Sequence, residues 1–459
     1  MERNPPYQRA PARRPRQEQE AEDTKLNRVW LYWLPLLFLP SVNLATSTAF
    51  GTLTVSDYLI GPYLVLVAIS LRHSPTGNFA PVRRLWVRYL IPTMLWFLWW
   101  AVISTLSMYF RFSYADQTRI MFGLLKLAKL SLYVVAAVLT MYALARLNPS
   151  ERRQFDWVMT AIGLLTGLTL LISGNEENAL VSGSTAASSG QVFTDNPISV
   201  LMAILLAFLA GKVIDESQPS PWRHATIATL VIMVFGLVIA EGRGGWLAAA
   251  AGAAYIGFRR MSWSTVRYVL AGVVLLVIAY HQIPTFRELV DRTIQPDQAF
   301  LQDYNAGVMG LDDGARFSIL QSEAPKLLDD PILGRGIFHR GGLSGLFSTG
   351  SHNFFVQIFL ETGLVGGLLV LALAFQMWRH ASSFERDASG LALPTKAAIV
   401  AAIIAGLSGE YFYGGTALLV LLLTYVPVGS LPVVRHRVIK PRNIPQLATH
   451  DAQPIRSTR

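Results

Sequence analysis

The stretch from residue 353 to residue 377 reads NFFVQIFLETGLVGGLLVLALAFQM, and it decides the class of fold. Glu361 is its one charged residue, and the stretch exceeds the roughly 20 apolar residues that a helix needs to cross a bilayer. It therefore predicts a transmembrane helix. Hydrophobic residues make up 52% of the 459 positions and charged residues only 15%, so the whole chain has the composition of a membrane protein.

Working outward from this stretch, similar runs predict an all-α polytopic membrane protein of about twelve transmembrane helices. The predicted spans are 29–49, 55–71, 86–109, 120–145, 155–173, 197–215, 224–241, 245–258, 264–281, 353–377, 394–412 and 414–434. Helices 1–9 thus occupy residues 29–281, and helices 10–12 occupy residues 352–434. The composition of residues 1–28 predicts a disordered cytoplasmic tail, and that of residues 435–459 predicts a basic cytoplasmic tail.

The basic residues orient this topology. The chain carries 39 Lys and Arg against 29 Asp and Glu, and most of these cations flank apolar runs on the side that both tails share. This bias is the positive-inside pattern, so it predicts cytoplasmic termini and no nucleic-acid partner. The chain has no cysteine, which excludes disulfides and thiolate metal sites.

The loop at residues 282–351 then faces the opposite side of the membrane. Its apolar residues from Phe317 to Leu328 recur at spacings of three and four, which predicts a short amphipathic helix. Pro331 and the run Gly334-Arg335-Gly336 would end that helix. We expect this loop to lie on the membrane face as a lid.

Three residues on this outer side are candidates for chemistry. Arg243 lies in a glycine-rich turn between two spans, where its guanidinium suits a phosphate; the alternative is an ion pair with Glu241. Arg316 begins the amphipathic helix and binds an anion or pairs with a nearby Asp. His352 opens the tenth span, and either acts as a base near neutral pH or only hydrogen-bonds the loop. Arg335 is a further outer-side arginine.

Polar residues inside the spans form a second group. Asn353, Gln357 and Glu361 recur every fourth residue, so they form a stripe that must face protein or water, with Glu361 too deep for direct catalysis. Gly363 and Gly367 have the spacing of close helix packing.

Two lysines and one asparagine complete the candidates. Lys126 and Lys129 lie within the fourth span, where they reach a lipid-borne phosphate or extend towards the interface. Asn196, at the start of the sixth span, belongs to the same outer pocket. The histidines show no metal-ligand spacing, so we expect no metal and no cofactor.

Four pieces of sequence, taken in order and spacing, resemble the O-antigen ligase and O-antigen polymerase superfamily. They are Gly-Arg-Gly-Gly-Trp-Leu-Ala at 242–248, the Ala315-Arg316 helix, Pro331-Ile-Leu-Gly-Arg-Gly, and His352-Asn353 followed by Leu360-Glu361-Thr-Gly-Leu-Val-Gly. The resemblance covers residues 190–370 by motif, whereas the first five spans match only in hydropathy.

This resemblance implies a C-type glycosyltransferase fold with a helical periplasmic loop between helices 9 and 10, in the bacterial inner membrane. It also implies metal-independent, inverting transfer of a glycan from undecaprenyl diphosphate to an acceptor hydroxyl. Arg243 and Arg316 look like the arginines that hold the lipid diphosphate, and His352 looks like the histidine near the acceptor.

Three functions remain open on the sequence. A ligase transfers polymer to the lipid A core, and the long loop that ends at His352 favours it. A polymerase extends repeat units with the same donor chemistry. A polysaccharide-lipid transporter or flippase also has about twelve spans, although the two halves of this chain are not similar.

Overall fold

The computed structural model describes residues 29–38, 43–47, 51–73, 90–111, 117–144, 149–173, 195–215, 220–239, 243–260, 280–282, 284, 287, 324–337, 353–383 and 392–408. Its α-helices are α1 (Val29–Trp33), α2 (Val55–His73), α3 (Ile91–Arg111), α4 (Gln117–Leu144), α5 (Pro149–Ser173), α6 (Asp195–Asp215), α7 (Pro221–Ile239), α8 (Arg243–Arg259), α9 (Phe354–Ser383) and α10 (Ala392–Ser408). Two 3-10 helices cover Leu34–Phe38 and Ala324–Leu327, and strand β1 (Asn43–Ser47) pairs antiparallel with β2 (Gly51–Thr54).

The prediction of a helical membrane protein is confirmed in its general form. Within the described residues, four helices are long and apolar enough to cross a membrane, over Ile91–Met108, Gly123–Leu144, Pro221–Val238 and Phe354–Ser382. The predicted spans 55–71, 155–173, 197–215 and 245–258 also coincide with helices, as does the described part of the span 394–412, up to Ser408. The span 414–434, most of 264–281 and both tails lie outside the described residues, so the count of twelve stays a prediction.

The prediction of one continuous helix at 29–49 is wrong. An α-helix ends at Trp33, a 3-10 helix follows, and the chain then enters the β1–β2 hairpin. Pro35 explains the break, because proline lacks the N–H group that an α-helix needs and clashes with the preceding turn. A second departure from regular helix within the described spans is the kink at Gly363 in α9.

Helix α6 forms the centre of the larger helix cluster. Its residues 200–209 are each at most 8% exposed, and the helix contacts α5, α7, α8 and α10. A helix that is apolar on every face lies either in lipid or inside a protein core, and the burial of α6 by other helices places it in the core. Small residues allow this close packing: a β-carbon on Gly252 of α8 would lie 2.5 Å from the β-carbon of Ala207.

A second group of helices surrounds α9. Helix α9 packs against both α3 and α10, while α4 contacts α2 and α3. Helix α3 also exposes Trp96, Trp99 and Phe110, a composition that suits contact with lipid. The polar residues described below lie within this second group.

Candidate functional site

A non-helical segment, residues 331–337, lies among α3, α4 and α9 instead of beyond their ends. It meets α9 at Gly363, roughly 13 Å along the helix from Phe354 at the usual helical rise. Irregular backbone at membrane depth is stable only where protein or water satisfies its polar groups. The segment therefore needs hydrogen-bond partners from the helices around it.

A kink in α9 supplies these partners. Gly363 has φ 67° and ψ −170°, which interrupts the helical hydrogen bonds and frees carbonyl groups in the preceding turn. Three hydrogen bonds join the two backbones: Arg335 N–H to Leu360 O at 2.7 Å, Gly336 N–H to Glu361 O at 2.9 Å, and Leu364 N–H to Pro331 O at 2.6 Å.

The contact between residues 331–337 and α9 around Gly363 is called the junction here, and glycine is required on both sides of it. Gly334 and Gly336 have φ values of 70° and 89°, in the left-handed region that favours glycine. A β-carbon on Gly334 would lie 2.3 Å from the Gly363 nitrogen, and one on Gly363 would lie 2.1 Å from the Ile332 oxygen. Gly363 thus forms the kink in α9 and lets the loop backbone approach it closely. The prediction that Gly363 packs against another helix is corrected accordingly.

Helix α3 fixes this junction from the other side. Its polar contacts are Trp100 Nε1 to Thr362 O at 2.8 Å, Ser104 Oγ to Glu361 O at 2.6 Å, and Ile337 N–H to Thr105 Oγ1 at 3.2 Å. Arg111 pairs with Asp330 and donates to the carbonyl of Gly334. The sequence reasoning missed these residues, although Trp100, Ser104 and Arg111 have the spacing of one helical face.

Glu361 also carries a buried charge. Its side chain is 1% exposed, and Oε1 accepts a hydrogen bond of 2.8 Å from Gln357 Nε2. Lys126 Nζ of α4 lies 3.9 Å from the same oxygen and keeps 27% of its side chain exposed. The predicted polar stripe therefore faces protein at Gln357 and Glu361, and Lys126 meets it there. Lys129, one turn further along α4, is half-buried.

Arg335 lies on the inserted segment and pairs with Asp329. Its side chain is 17% exposed, compared with 58% for that of Asp329. Burial lowers the pKa of nearby Lys326, and the positive charge of Arg335 lowers it further, while Asp329 acts in the opposite direction. Arg335 is therefore part of a charged cluster where the segment enters the helices.

Asn353 caps the first turn of α9. Its side-chain oxygen accepts hydrogen bonds from the N–H groups of Phe355 and Val356, at 3.0 and 3.1 Å. Such a cap satisfies backbone donors that have no partner within the helix. Its side-chain nitrogen donates to the Leu407 carbonyl of α10 at 3.2 Å, so Asn353 also joins two helices.

The helix starts that hold Arg243 and Asn196 are adjacent. Arg243 is the first residue of α8, and Asn196 lies in the first turn of α6. A β-carbon on Gly245 would lie 2.9 Å from the backbone of Ser199, so these two first turns are in contact. Paired helix N-termini present partial positive charge and suit an anion.

Several predicted residues are outside this account. The structure describes the backbone of Arg243 and Asn196 but not their side chains. Arg316, His352 and most of the predicted lid helix lie outside the described residues. Within the described ranges, no three His, Asp or Glu side chains converge as a metal site would require. Metal independence stays a prediction.

The fold and this site define a multi-pass helical membrane protein with a buried ionic network beside an inserted loop segment. A family model described as O-antigen ligase matches residues 228–371. This match confirms the resemblance found in the sequence and supports membership of the O-antigen ligase superfamily. It indicates an enzyme of the glycosyltransferase type that uses a lipid-linked glycan and an acceptor.

The other comparisons add little. A second family model, described as Ycf66 protein N-terminus, matches residues 129–194, which include part of α4 and all of α5. No curated protein matches the chain.

Proposed function

We propose that this protein is a glycosyltransferase of the bacterial inner membrane, with both termini cytoplasmic and its site facing the periplasm. It moves a glycan from undecaprenyl diphosphate to an acceptor hydroxyl, as an O-antigen ligase does with the lipid A core. The observation that carries this proposal is the O-antigen ligase match at residues 228–371. Arg243, Arg316, Arg335 and His352 all fall within those residues.

In this proposal the acceptor oxygen attacks the anomeric carbon of the donor glycan with inversion. The bond from that carbon to the phosphate oxygen breaks, and undecaprenyl diphosphate leaves with the electron pair. Arg243 and Arg316 stabilise the negative charge that develops on the diphosphate, and loss of one such donor typically costs about 10²–10³ in rate. His352 takes the proton from the acceptor hydroxyl.

The remaining candidates bind or orient the substrates. Lys126, Lys129 and Arg335 contact the anionic part of the donor, and Asn196 does so from the start of α6. Asn353 supports the position of His352, because the cap that it forms sets the first turn of α9. The adjacent helix starts at Arg243 and Asn196 support an anion site there.

Deletion of the gene in its host tests this proposal and identifies the acceptor. We expect surface polysaccharide to lose its attached polymer while lipid-linked polymer accumulates. A single attached repeat unit on the gel would instead indicate a polymerase. Purified protein that releases no undecaprenyl diphosphate, but carries intact lipid-linked glycan across vesicles, would indicate a flippase. Release by the purified protein should persist in EDTA, because the proposed chemistry uses no metal.

A further inference from the structure

The Glu361 carboxylate lies deep along a membrane-spanning helix, and the proposed mechanism gives it no role. Glu361 is roughly 10 Å along α9 from Phe354, and its side chain is 1% exposed. A buried charge at this depth is expensive unless a partner compensates it, so such residues commonly serve a function. Among the described residues Lys126 offers a compensating cation, with its Nζ 3.9 Å from Oε1.

The geometry makes Lys126 the accessible member of the pair. The separation of 3.9 Å exceeds hydrogen-bond length, so Glu361 attracts the ammonium without sitting in direct contact with it. Lys126 keeps 27% of its side chain exposed, whereas Glu361 is enclosed. An anion can therefore approach the ammonium from the exposed side, but it cannot approach the carboxylate.

Glu361 is also held more firmly than an ordinary helix residue. Gln357 donates to its carboxylate, and its carbonyl accepts hydrogen bonds from Gly336 N–H and Ser104 Oγ. These bonds come from α9, the 331–337 segment and α3. The backbone of Glu361 is therefore held by two neighbouring elements, and its carboxylate is held by Gln357 one turn earlier in the same helix. A carboxylate placed in this way restrains the long lysine side chain, which would otherwise extend towards the interface.

We propose that Glu361 is a positioning residue that holds the Lys126 ammonium where it binds a phosphate of the polyprenyl diphosphate donor. This inference rests on the proposed function and assigns Glu361 and Gln357 a part in donor binding. A fixed, partly desolvated cation beside an inserted segment suits a phosphate better than a freely moving one, because less freedom is lost on binding.

The test measures binding of two probes to the full-length protein in nanodiscs of neutral lipid. The probes are geranylgeranyl diphosphate and geranylgeraniol, which share the apolar chain and differ in the phosphates. We expect the wild type to prefer the diphosphate, and Lys126→Gln or Glu361→Gln to lower that preference about tenfold. The double variant should be no worse than either single variant, because both act through one contact.

A control variant separates this role from general loss of an ion pair. Asp156→Asn removes the partner of Lys212, which joins α5 to α6 away from the junction, and should leave the preference unchanged. In a donor-release assay, Glu361→Gln should raise KM for the donor with little change in kcat, whereas His352→Ala should lower kcat.

Two outcomes overturn the inference while leaving the proposed function intact. Glu361→Gln with the wild-type preference would show that Glu361 does not position Lys126. A double variant that regains the preference would show that the pair only stabilises the fold. A wild type that binds both probes equally and releases no undecaprenyl diphosphate would overturn the proposed function as well.

Discussion

Helices α6 and α9 are both central, but they are stabilised in different ways. Residues 200–209 of α6 are apolar or small and at most 8% exposed, and Gly252 allows α8 to approach closely. Helix α9 buries Gln357 and Glu361, bends at Gly363, and binds a loop segment through its backbone. The α6 region thus provides a scaffold, while the α9 region places polar groups inside the membrane where they can serve chemistry.

Substitution of the kink residue should have the largest effect on stability. Gly363→Val places a β-carbon 2.1 Å from the Ile332 oxygen, at a φ of 67° that β-branched residues avoid. We expect a loss of about 3 kcal/mol or more in the free energy of unfolding. Thermal unfolding of the purified protein measures it. Gly257→Ala is the matched control, because its β-carbon would meet nothing within 4 Å.

Breaking the buried ion pair should rank next. Lys126→Met removes the ammonium that lies 3.9 Å from the enclosed Glu361 carboxylate, and breaking such a buried ion pair typically costs about 3–5 kcal/mol. Adding Glu361→Gln should recover most of this loss, because no buried charge then remains. The unfolding midpoints of the single and double variants check this, and a double variant less stable than Lys126→Met would argue against a compensated pair.

A single side-chain contact at the junction should matter less. Ser104→Ala removes one hydrogen bond to the Glu361 carbonyl and should cost about 1 kcal/mol. Thr169→Ala on α5 is its control, since that hydroxyl is exposed and bonds only within its own helix. Equal changes in the two unfolding midpoints would show that α3 does not anchor the kink.

The smallest effect is expected far from the junction. Asp156→Asn removes the ion pair with Lys212, but the lysine still lies 5.4 Å from the centre of the Trp222 ring. Both partners of this pair keep solvent contact, unlike the enclosed Glu361, so water can replace the lost contact. We expect a cost of about 1 kcal/mol or less, and the unfolding midpoint should barely change. A loss comparable with that of Lys126→Met would remove the contrast between the two regions.

The sequence predicted the helical class because hydropathy over about 20 residues follows from the thickness of a bilayer. It also predicted the protein-facing stripe of Gln357 and Glu361, since a charge on a span cannot face lipid. It did not predict the break after Trp33, where Pro35 interrupts an otherwise apolar run.

The junction at Gly363 was harder to predict for a different reason. Its partners are Trp100 and Ser104 on α3 and the 331–337 segment, which are distant in sequence. Their contacts depend on how the helices pack, and periodicity within one helix contains no information about that. The spacing Gly363-x-x-x-Gly367 instead suggested helix packing, which is a commoner use of such glycines.

The release of undecaprenyl diphosphate from a lipid-linked glycan by the purified protein tests the central claim most directly. We expect Arg243→Ala and His352→Ala each to lower the rate by about 10² or more, because each removes a group that acts on the transition state. Asp156→Asn should release the product at the wild-type rate. Unaltered release from both the Arg243 and the His352 variants would contradict the assignment of this site.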